Sequence, residues 1–88
     1  MKVIFLSKFS KDLDKITDTR IRKAIKKAII KIEKAPSTKK LTSIKKLKGE
    51  AYAYRLRVGQ YRIGMYIEDQ TVELARVAHR KKIYDIFP

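Results

Sequence analysis

Three arginines in the second half of the chain have the type and spacing to bind a phosphate. Arg55 and Arg57 alternate with apolar residues, so in an extended strand they project from the same face. Arg62 follows Gly59-Gln60, a two-residue hairpin signal, which places it across from Arg57. Like charges so placed repel by a few tenths to about 1 kcal/mol without an anion between them. The planar guanidinium suits phosphate, and such a cluster can stabilise a pentacoordinate phosphoryl transition state.

His79, Arg80 and Tyr84 lie at and beyond the end of the last predicted strand and add functions that a phosphate site lacks. They supply a proton carrier, a further guanidinium and a ring on which a base can stack. With the three arginines they fit metal-free RNA cleavage, in which the 2′-hydroxyl attacks the adjacent phosphate. When each residue is considered alone, a solvated surface role is the commoner interpretation, both for the arginines and for the histidine. Spacing alone therefore predicts a nucleic-acid-binding face and leaves catalysis open.

The chain is strongly basic, with 23 Lys and Arg against 9 Asp and Glu and a formal net charge of +14. Between Thr19 and Ile67, fifteen basic residues stand beside only Glu33 and Glu50. Each neutralised phosphate releases condensed counterions, so this excess favours a polyanionic partner. Three lysines of one short segment are the candidate RNA contacts: Lys45, Lys46 and Lys48.

Small size and the absence of cysteine restrict the chemistry. A chain of 88 residues buries only about 60–65% of its unfolded surface, so we expect a shallow, open site and a large substrate. His79 alone cannot hold a transition metal, and no cofactor is expected. The opening apolar run, Val3–Leu6, is too short for a signal peptide or a membrane span. These features predict a cytoplasmic protein without a membrane contact.

The remaining sequence predicts the elements that position these side chains. Isoleucine and alanine recur at helical spacing as far as Ala35; Thr17 or Asp18 can cap this helix and Pro36 ends it. Its opposite, lysine-rich face is typical of a solvated surface. The other predicted elements are a strand at Lys2–Leu6, a short helix capped by Ser7, a loop at Pro36–Glu50, strands at Ala51–Val58, Tyr61–Glu68 and Thr71–His79, and a strand exit or short helix at Arg80–Pro88.

This order predicts one domain, residues 1–88, with an α+β fold. We expect an N-terminal strand and a two-helix hairpin, followed by three hairpin-connected strands. The helices pack on one face of a mostly antiparallel four-stranded sheet, and the other face is free. Arg62 and Tyr66 share the free face, while Tyr52, Tyr54 and Tyr61 cap the core.

Several stretches resemble the RelE/ParE toxin superfamily. They are Leu47-Lys-Gly49, Tyr54-Arg-Leu-Arg-Val-Gly-Gln-Tyr-Arg-Ile63, and Val77-Ala-His-Arg80 followed by Ile83-Tyr84, and the resemblance covers nearly the whole chain. It implies a RelE-like fold and a toxin of a type II toxin–antitoxin module that cleaves mRNA, often on the ribosome. It also implies a cognate acidic antitoxin that neutralises the toxin, with operator DNA bound only through that antitoxin.

The resemblance also implies roles for the candidate residues. Arg55 and Arg57 match two basic catalytic positions of the family, and Arg62 matches the arginine that holds the scissile phosphate. Arg80 and Tyr84 match the C-terminal arginine and tyrosine. His79 matches a position that is basic or histidine in several branches. RelE itself has lysines at the first two positions. Arginine stays protonated and is a poor general base, so proton transfer falls to Tyr84 or His79.

The full residue set favours the ribonuclease branch over the ParE branch, which is similar in fold and poisons DNA gyrase. Two alternatives stay open beside the ribonuclease. One is a noncatalytic gyrase poison, and the other is a plain basic nucleic-acid-binding module.

Overall fold

Nine elements make up the fold in the computed structural model, which describes residues 1–88. The strands are β1 (Lys2–Phe5), β2 (Ile44–Lys46), β3 (Ala53–Val58), β4 (Tyr61–Glu68) and β5 (Thr71–His79). The helices are α1 (Ser7–Asp14), α2 (Thr19–Lys34) and α3 (Ile83–Ile86), with one 3₁₀ turn at Thr38–Lys40. None of these helices is long and apolar enough to cross a lipid bilayer.

The strands form one mixed sheet in the order β1-β5-β4-β3-β2. The β1 strand pairs in parallel with β5, and the other neighbours are antiparallel. The predicted α+β class is confirmed, with one difference in strand number. We predicted four strands, but Ile44–Lys46, within the predicted loop, pairs with β3 as a fifth. This edge strand is too short, and too rich in lysine, to show a strand pattern.

Helix ends agree with the prediction for α2 and differ by one residue for α1. Asp18 caps α2 by accepting a hydrogen bond from the Arg20 backbone N–H at 2.9 Å. Ser7 is already helical, and Leu6 precedes α1 without a side-chain cap. The predicted serine cap is therefore wrong.

One main core lies between the sheet and α1 and α2. We call this side of the sheet the helix face. Its fully buried side chains include Ile25 and Ile32 of α2, packed with Ile63, Met65 and Leu74 of the sheet. Tyr54 and Tyr61 pack against this core as predicted, whereas Tyr52 is 50% exposed and does not.

The opposite side of the sheet carries Arg55, Arg57 and Arg62, and we call it the arginine face. It was predicted to be free, but α3 and Phe87 cover part of it. Ile83 and Phe87 are buried there against small residues of the sheet, Ala53 and Ala75. The middle of this face is therefore covered, and the arginines lie at its exposed end near the Gly59-Gln60 turn.

A bulge in β5 changes which side chains share a face. Met65 pairs with Leu74 and Gly64 with Arg76, which leaves Ala75 as an extra, unpaired residue. Beyond this point the alternation of β5 is reversed. Arg76 then makes the protein's one ion pair, with Asp12 of α1 at 2.7 Å. The bulge thus connects α1 to the sheet edge and decides the direction of His79.

Candidate nucleic-acid interface

The arginine face carries its charge at the hairpin that joins β3 and β4. Gly59 opens this two-residue turn with a φ of 59°, and Arg57 and Arg62 are direct cross-strand partners. Arg57 donates its backbone N–H to the Ser43 carbonyl at 3.0 Å, on the β2 side. Arg57 and Arg62 are therefore a non-hydrogen-bonded pair, the kind whose side chains approach most closely. The predicted pair of like charges is present.

Arg62 is fixed by backbone carbonyls of its own hairpin. Its Nη1 donates to the oxygens of Gly59 and Tyr61, each at 2.9 Å. Partial burial lowers the pKa of this guanidinium below its ordinary value. The positive charges of Arg55 and Arg57, and more weakly that of Arg80, lower the pKa further. These cations are therefore close enough to act on one another, and an anion placed among them relieves the repulsion.

Arg55 and Arg80 complete this cluster. Arg55 lies on the same face as Arg57, and its Nη1 is 3.4 Å from the Ser43 carbonyl. Arg80 follows β5 and donates its backbone N–H to the Gln60 carbonyl at 2.8 Å, which places it beside the hairpin turn. None of the four arginines has an acidic partner. We call Arg55, Arg57, Arg62 and Arg80 the arginine cluster.

Tyr84 lies beside the arginine cluster because α3 is anchored on the same face. Phe87 lies over Gly64, where a Cβ atom would be 2.5 Å from the phenyl ring. Tyr66 packs on this ring at a centroid distance of 5.2 Å. Tyr84 is 58% exposed, and its phenol is near enough to raise the pKa of Arg62 against the effect of the cations. An exposed ring next to bound phosphate can stack on an RNA base.

His79 lies on the other side of the sheet. It is paired with Tyr61, whose ring it contacts edge-on at a centroid distance of 5.7 Å. Its Nδ1 accepts the Lys81 backbone N–H at 3.2 Å. Regular alternation would have placed His79 with Arg62, and the bulge at Ala75 is the physical reason that it faces the helices. The structure therefore does not bring His79 into the arginine cluster.

The three candidate lysines are divided among different surfaces. Lys45 is opposite Arg55, so it extends the arginine face toward the sheet edge. Lys46 is opposite Tyr54, on the helix face. Lys48 lines a shallow groove with Tyr84 and Phe87. Two of the three lysines are thus placed to contact a nucleic acid bound at the arginine cluster.

Glu50 is a residue that sequence reasoning did not select. It lines the same groove as Tyr84 and Lys48, after a tight turn in which Gly49 has a φ of 79°. A carboxylate at this place can accept a proton, as arginine cannot. The sequence did contain a signal for this residue, because Glu50 is one of only two acids in the basic stretch between Thr19 and Ile67.

The far end of the arginine face is acidic. Glu68, Asp69 and Glu73 line a groove there with Tyr52 and Tyr66. No group of three or more His, Asp or Glu side chains lies close enough together to hold a metal ion. Charge therefore runs from basic at the hairpin to acidic at the opposite end of β4, which gives any bound polyanion a preferred side.

Fold and site together define a small, basic α+β protein that presents unpaired guanidinium groups on one side of a sheet. Residues 3–84 match the family model described as ParE toxin of type II toxin–antitoxin system, parDE. The chain is 46% identical over 89 residues to Toxin RelE3 of Methanocaldococcus jannaschii, covering 100% of both chains. It belongs to the RelE/ParE family and is a toxin of a type II toxin–antitoxin system, which confirms the resemblance found in the sequence.

Two solved structures show the same fold. A chain of the RelB-RelE antitoxin-toxin complex from Methanococcus jannaschii has a TM-score of 0.80 and 42% identity, over 97% of this chain and 99% of that chain. A chain of the RelBE2 toxin-antitoxin complex from Mycobacterium tuberculosis has a TM-score of 0.71 and 32% identity, over 90% and 96% of the two chains.

Proposed function

We propose that this toxin is a metal-independent endoribonuclease that cleaves messenger RNA on the ribosome. The observation that carries this proposal is the arginine cluster, four cations without an acidic partner, next to the exposed ring of Tyr84. Cross-strand repulsion of this kind is unfavourable in the free protein and becomes favourable once a phosphate lies between the charges.

In the proposed reaction Arg55, Arg57 and Arg62 hold the scissile phosphate. They neutralise the charge that builds up as the 2′-oxygen forms a bond to phosphorus. The bond from phosphorus to the 5′-oxygen breaks, and Arg80 stabilises the negative charge on that oxygen until the oxygen takes up a proton from water. The products are a 2′,3′-cyclic phosphate and a 5′-hydroxyl.

The proton of the 2′-hydroxyl needs an acceptor, which the arginines cannot supply. His79 points to the other face of the sheet, so the groups left are Tyr84 and Glu50, which share one groove. A Glu50→Gln variant separates them. If Glu50 is the base, this variant should cleave about 10²- to 10⁴-fold more slowly, and if Tyr84 is the base, the variant should keep its cleavage rate.

A cognate acidic antitoxin is the proposed protein partner. The similar chains come from complexes named as RelB-RelE and RelBE2 toxin-antitoxin pairs. The charge of +14 and the unpaired arginines favour an acidic segment that covers the arginine cluster. In this proposal operator DNA is bound only through the antitoxin.

Growth of cells that express the toxin without its antitoxin tests the proposal. Loss of a group that holds charge or moves a proton in the transition state typically lowers the rate by about 10²- to 10⁴-fold. Arg62→Ala and Tyr84→Ala should therefore abolish growth arrest while the protein remains folded. The matched control is Arg20→Ala, which alters an exposed arginine of α2 on the helix face of the sheet and should stay toxic. Full toxicity of both site variants would show that this site is wrong.

A gyrase poison is the second candidate, favoured by the matched family model, which is described as a ParE toxin. Such a protein needs the fold and a binding surface but no proton acceptor. Induction of a DNA-damage response with intact messenger RNA would support it. A chain with no effect on growth would instead be a plain nucleic-acid-binding module.

A further inference from the structure

A second basic groove lies on the side of the molecule where α2 meets the β2 edge of the sheet. Its volume is about 660 Å³, within the range of sites that hold a ligand of moderate size. Its rim carries four cations and no acid: Lys31, Lys34, Lys40 and Arg57. The floor is made of small and apolar residues, and Thr42 and Ser43 form part of one wall. We call it the α2 groove.

Arg57 belongs to both the α2 groove and the arginine cluster. It lines the groove and is the cross-strand partner of Arg62. Ser43, with a φ of 63°, connects the two sites, because its carbonyl accepts the Arg57 backbone N–H at 3.0 Å and faces Arg55 Nη1 at 3.4 Å. The groove is thus a continuation of the cluster around the edge of the sheet.

Charge gives a strand that leaves the arginine cluster one favourable direction. Toward the far end of β4 it meets Glu68, Asp69 and Glu73 and would be repelled. Toward the sheet edge it meets Lys45 and then the α2 groove. A polyanion held at the cluster is therefore directed over the edge strand and into the groove.

We propose that the α2 groove binds the sugar–phosphate backbone of the RNA strand on one side of the scissile phosphate. Lys31, Lys34 and Lys40 are compact point charges, which suit phosphates along a backbone, whereas the planar guanidinium groups of the cluster suit one tightly held phosphate. Without an aromatic side chain, the groove holds backbone and does not select bases. This inference rests on the proposed function and adds a substrate contact to it.

The lysines of α2 were expected from the sequence to be a solvated surface, and the structure places four of these five lysines on two different surfaces. Lys31 and Lys34 lie on the groove, and neither has an acidic partner. Lys23 and Lys26 lie on the other side of the helix, near Phe5. The helix therefore offers lysines in the groove and matched lysines outside it, all of the same charge and all exposed.

Binding of two uncleavable 2′-O-methyl oligonucleotides tests the groove. A trinucleotide covers the arginine cluster alone, and a strand of about 12 nucleotides is long enough to reach the groove as well. The test variant is Lys31→Gln/Lys34→Gln/Lys40→Gln. The control is Lys11→Gln/Lys23→Gln/Lys26→Gln, which has the same change in charge and alters only exposed lysines of α1 and α2 that do not line the groove. Fluorescence anisotropy at several salt concentrations gives affinity and its salt dependence, and circular dichroism shows that each variant is folded.

The groove variant should bind the longer strand about tenfold to a hundredfold more weakly, and its salt slope should fall by about 2, since each single-strand phosphate contact contributes about 0.7. Its affinity for the trinucleotide, and both affinities of the control, should be unchanged. Equal losses in both variants, or no loss in the groove variant, would overturn the proposal.

Failure of the groove and failure of the proposed cleavage give different results. If the groove variant binds like wild type while the wild type still cuts messenger RNA, RNA binding by the groove is ruled out and the cleavage reaction is not. If the wild type binds the long strand through these lysines but leaves messenger RNA intact in cells, the cleavage reaction is ruled out and RNA binding by the groove is supported. If the wild type binds neither strand, both the groove proposal and the cleavage proposal are ruled out.

Discussion

Arg57 and Arg62 face each other across the β3–β4 hairpin as a non-hydrogen-bonded pair, with no acid between them. The two residues differ in what holds them. Arg62 donates to two carbonyls of the turn, whereas Arg57 makes no side-chain hydrogen bond. Truncation of Arg57 therefore removes repulsion without removing a bond.

Arg57→Ala should make the free protein more stable by a few tenths to about 1 kcal/mol, while it weakens RNA binding. Inorganic phosphate should raise the melting temperature of the wild type more than that of the variant, because the wild type has the additional cation to neutralise. Thermal denaturation with and without phosphate measures both effects. A variant less stable than wild type would show that the two guanidinium groups do not repel.

Gly64→Ala should displace Phe87 and, with it, α3 and Tyr84. The added methyl carbon would be 2.5 Å from the ring, an overlap that typically destabilises a packed core by about 1–3 kcal/mol. Chemical denaturation measures this loss, and RNA cleavage should fall with it. In a Phe87→Ala background the ring is gone, so adding Gly64→Ala should have little further effect. Equal losses in both backgrounds would contradict the contact.

Asp12 should make the stability depend on pH in the acid range. Burial acts to raise the pKa of its carboxyl, but the hydrogen bonds from Arg76 and the Val77 N–H, with the charge of Arg76, hold it below the ordinary value of 3.8. The folded pKa is thus lower than the unfolded one. Stabilisation is complete above the unfolded value and is lost as the pH falls through the folded value.

Asp12→Ala should therefore destabilise the protein by about 2 kcal/mol at neutral pH and by progressively less toward pH 3. Asp14→Ala, an exposed acid of the same helix without a partner, is the control and should change little. Urea denaturation of the three proteins at several pH values measures the difference. A loss for Asp12→Ala that is constant with pH would contradict the ion pair.

Local patterns in the sequence predicted the strands of the site, while contacts distant in sequence were not predictable. Tyr61–Glu68 and Thr71–His79 have the bounds expected, because alternation and turn residues mark both ends. The parallel pairing of β1 with β5 joins opposite ends of the chain and leaves no local pattern.

Two local features misled the prediction of the site. The Ala75 bulge reverses the alternation in β5, so His79 faces the helices although its position in a regular strand would be beside Arg62. Gly64 has no feature in the sequence that predicts a phenyl ring above it, so the cover that α3 provides was missed. In contrast, Arg55, Arg57 and Arg62 were placed correctly on one face, because strand alternation and a glycine turn determine their directions.

Mapping the 5′ ends of messenger RNA tests the central claim most directly. The wild type and Arg62→Ala are each induced for a few minutes in cells that lack the antitoxin, and new ends are compared. We predict new 5′-hydroxyl ends within translated regions for the wild type and none for the variant. Growth arrest with intact messages in the wild type would contradict the ribonuclease and favour the gyrase poison.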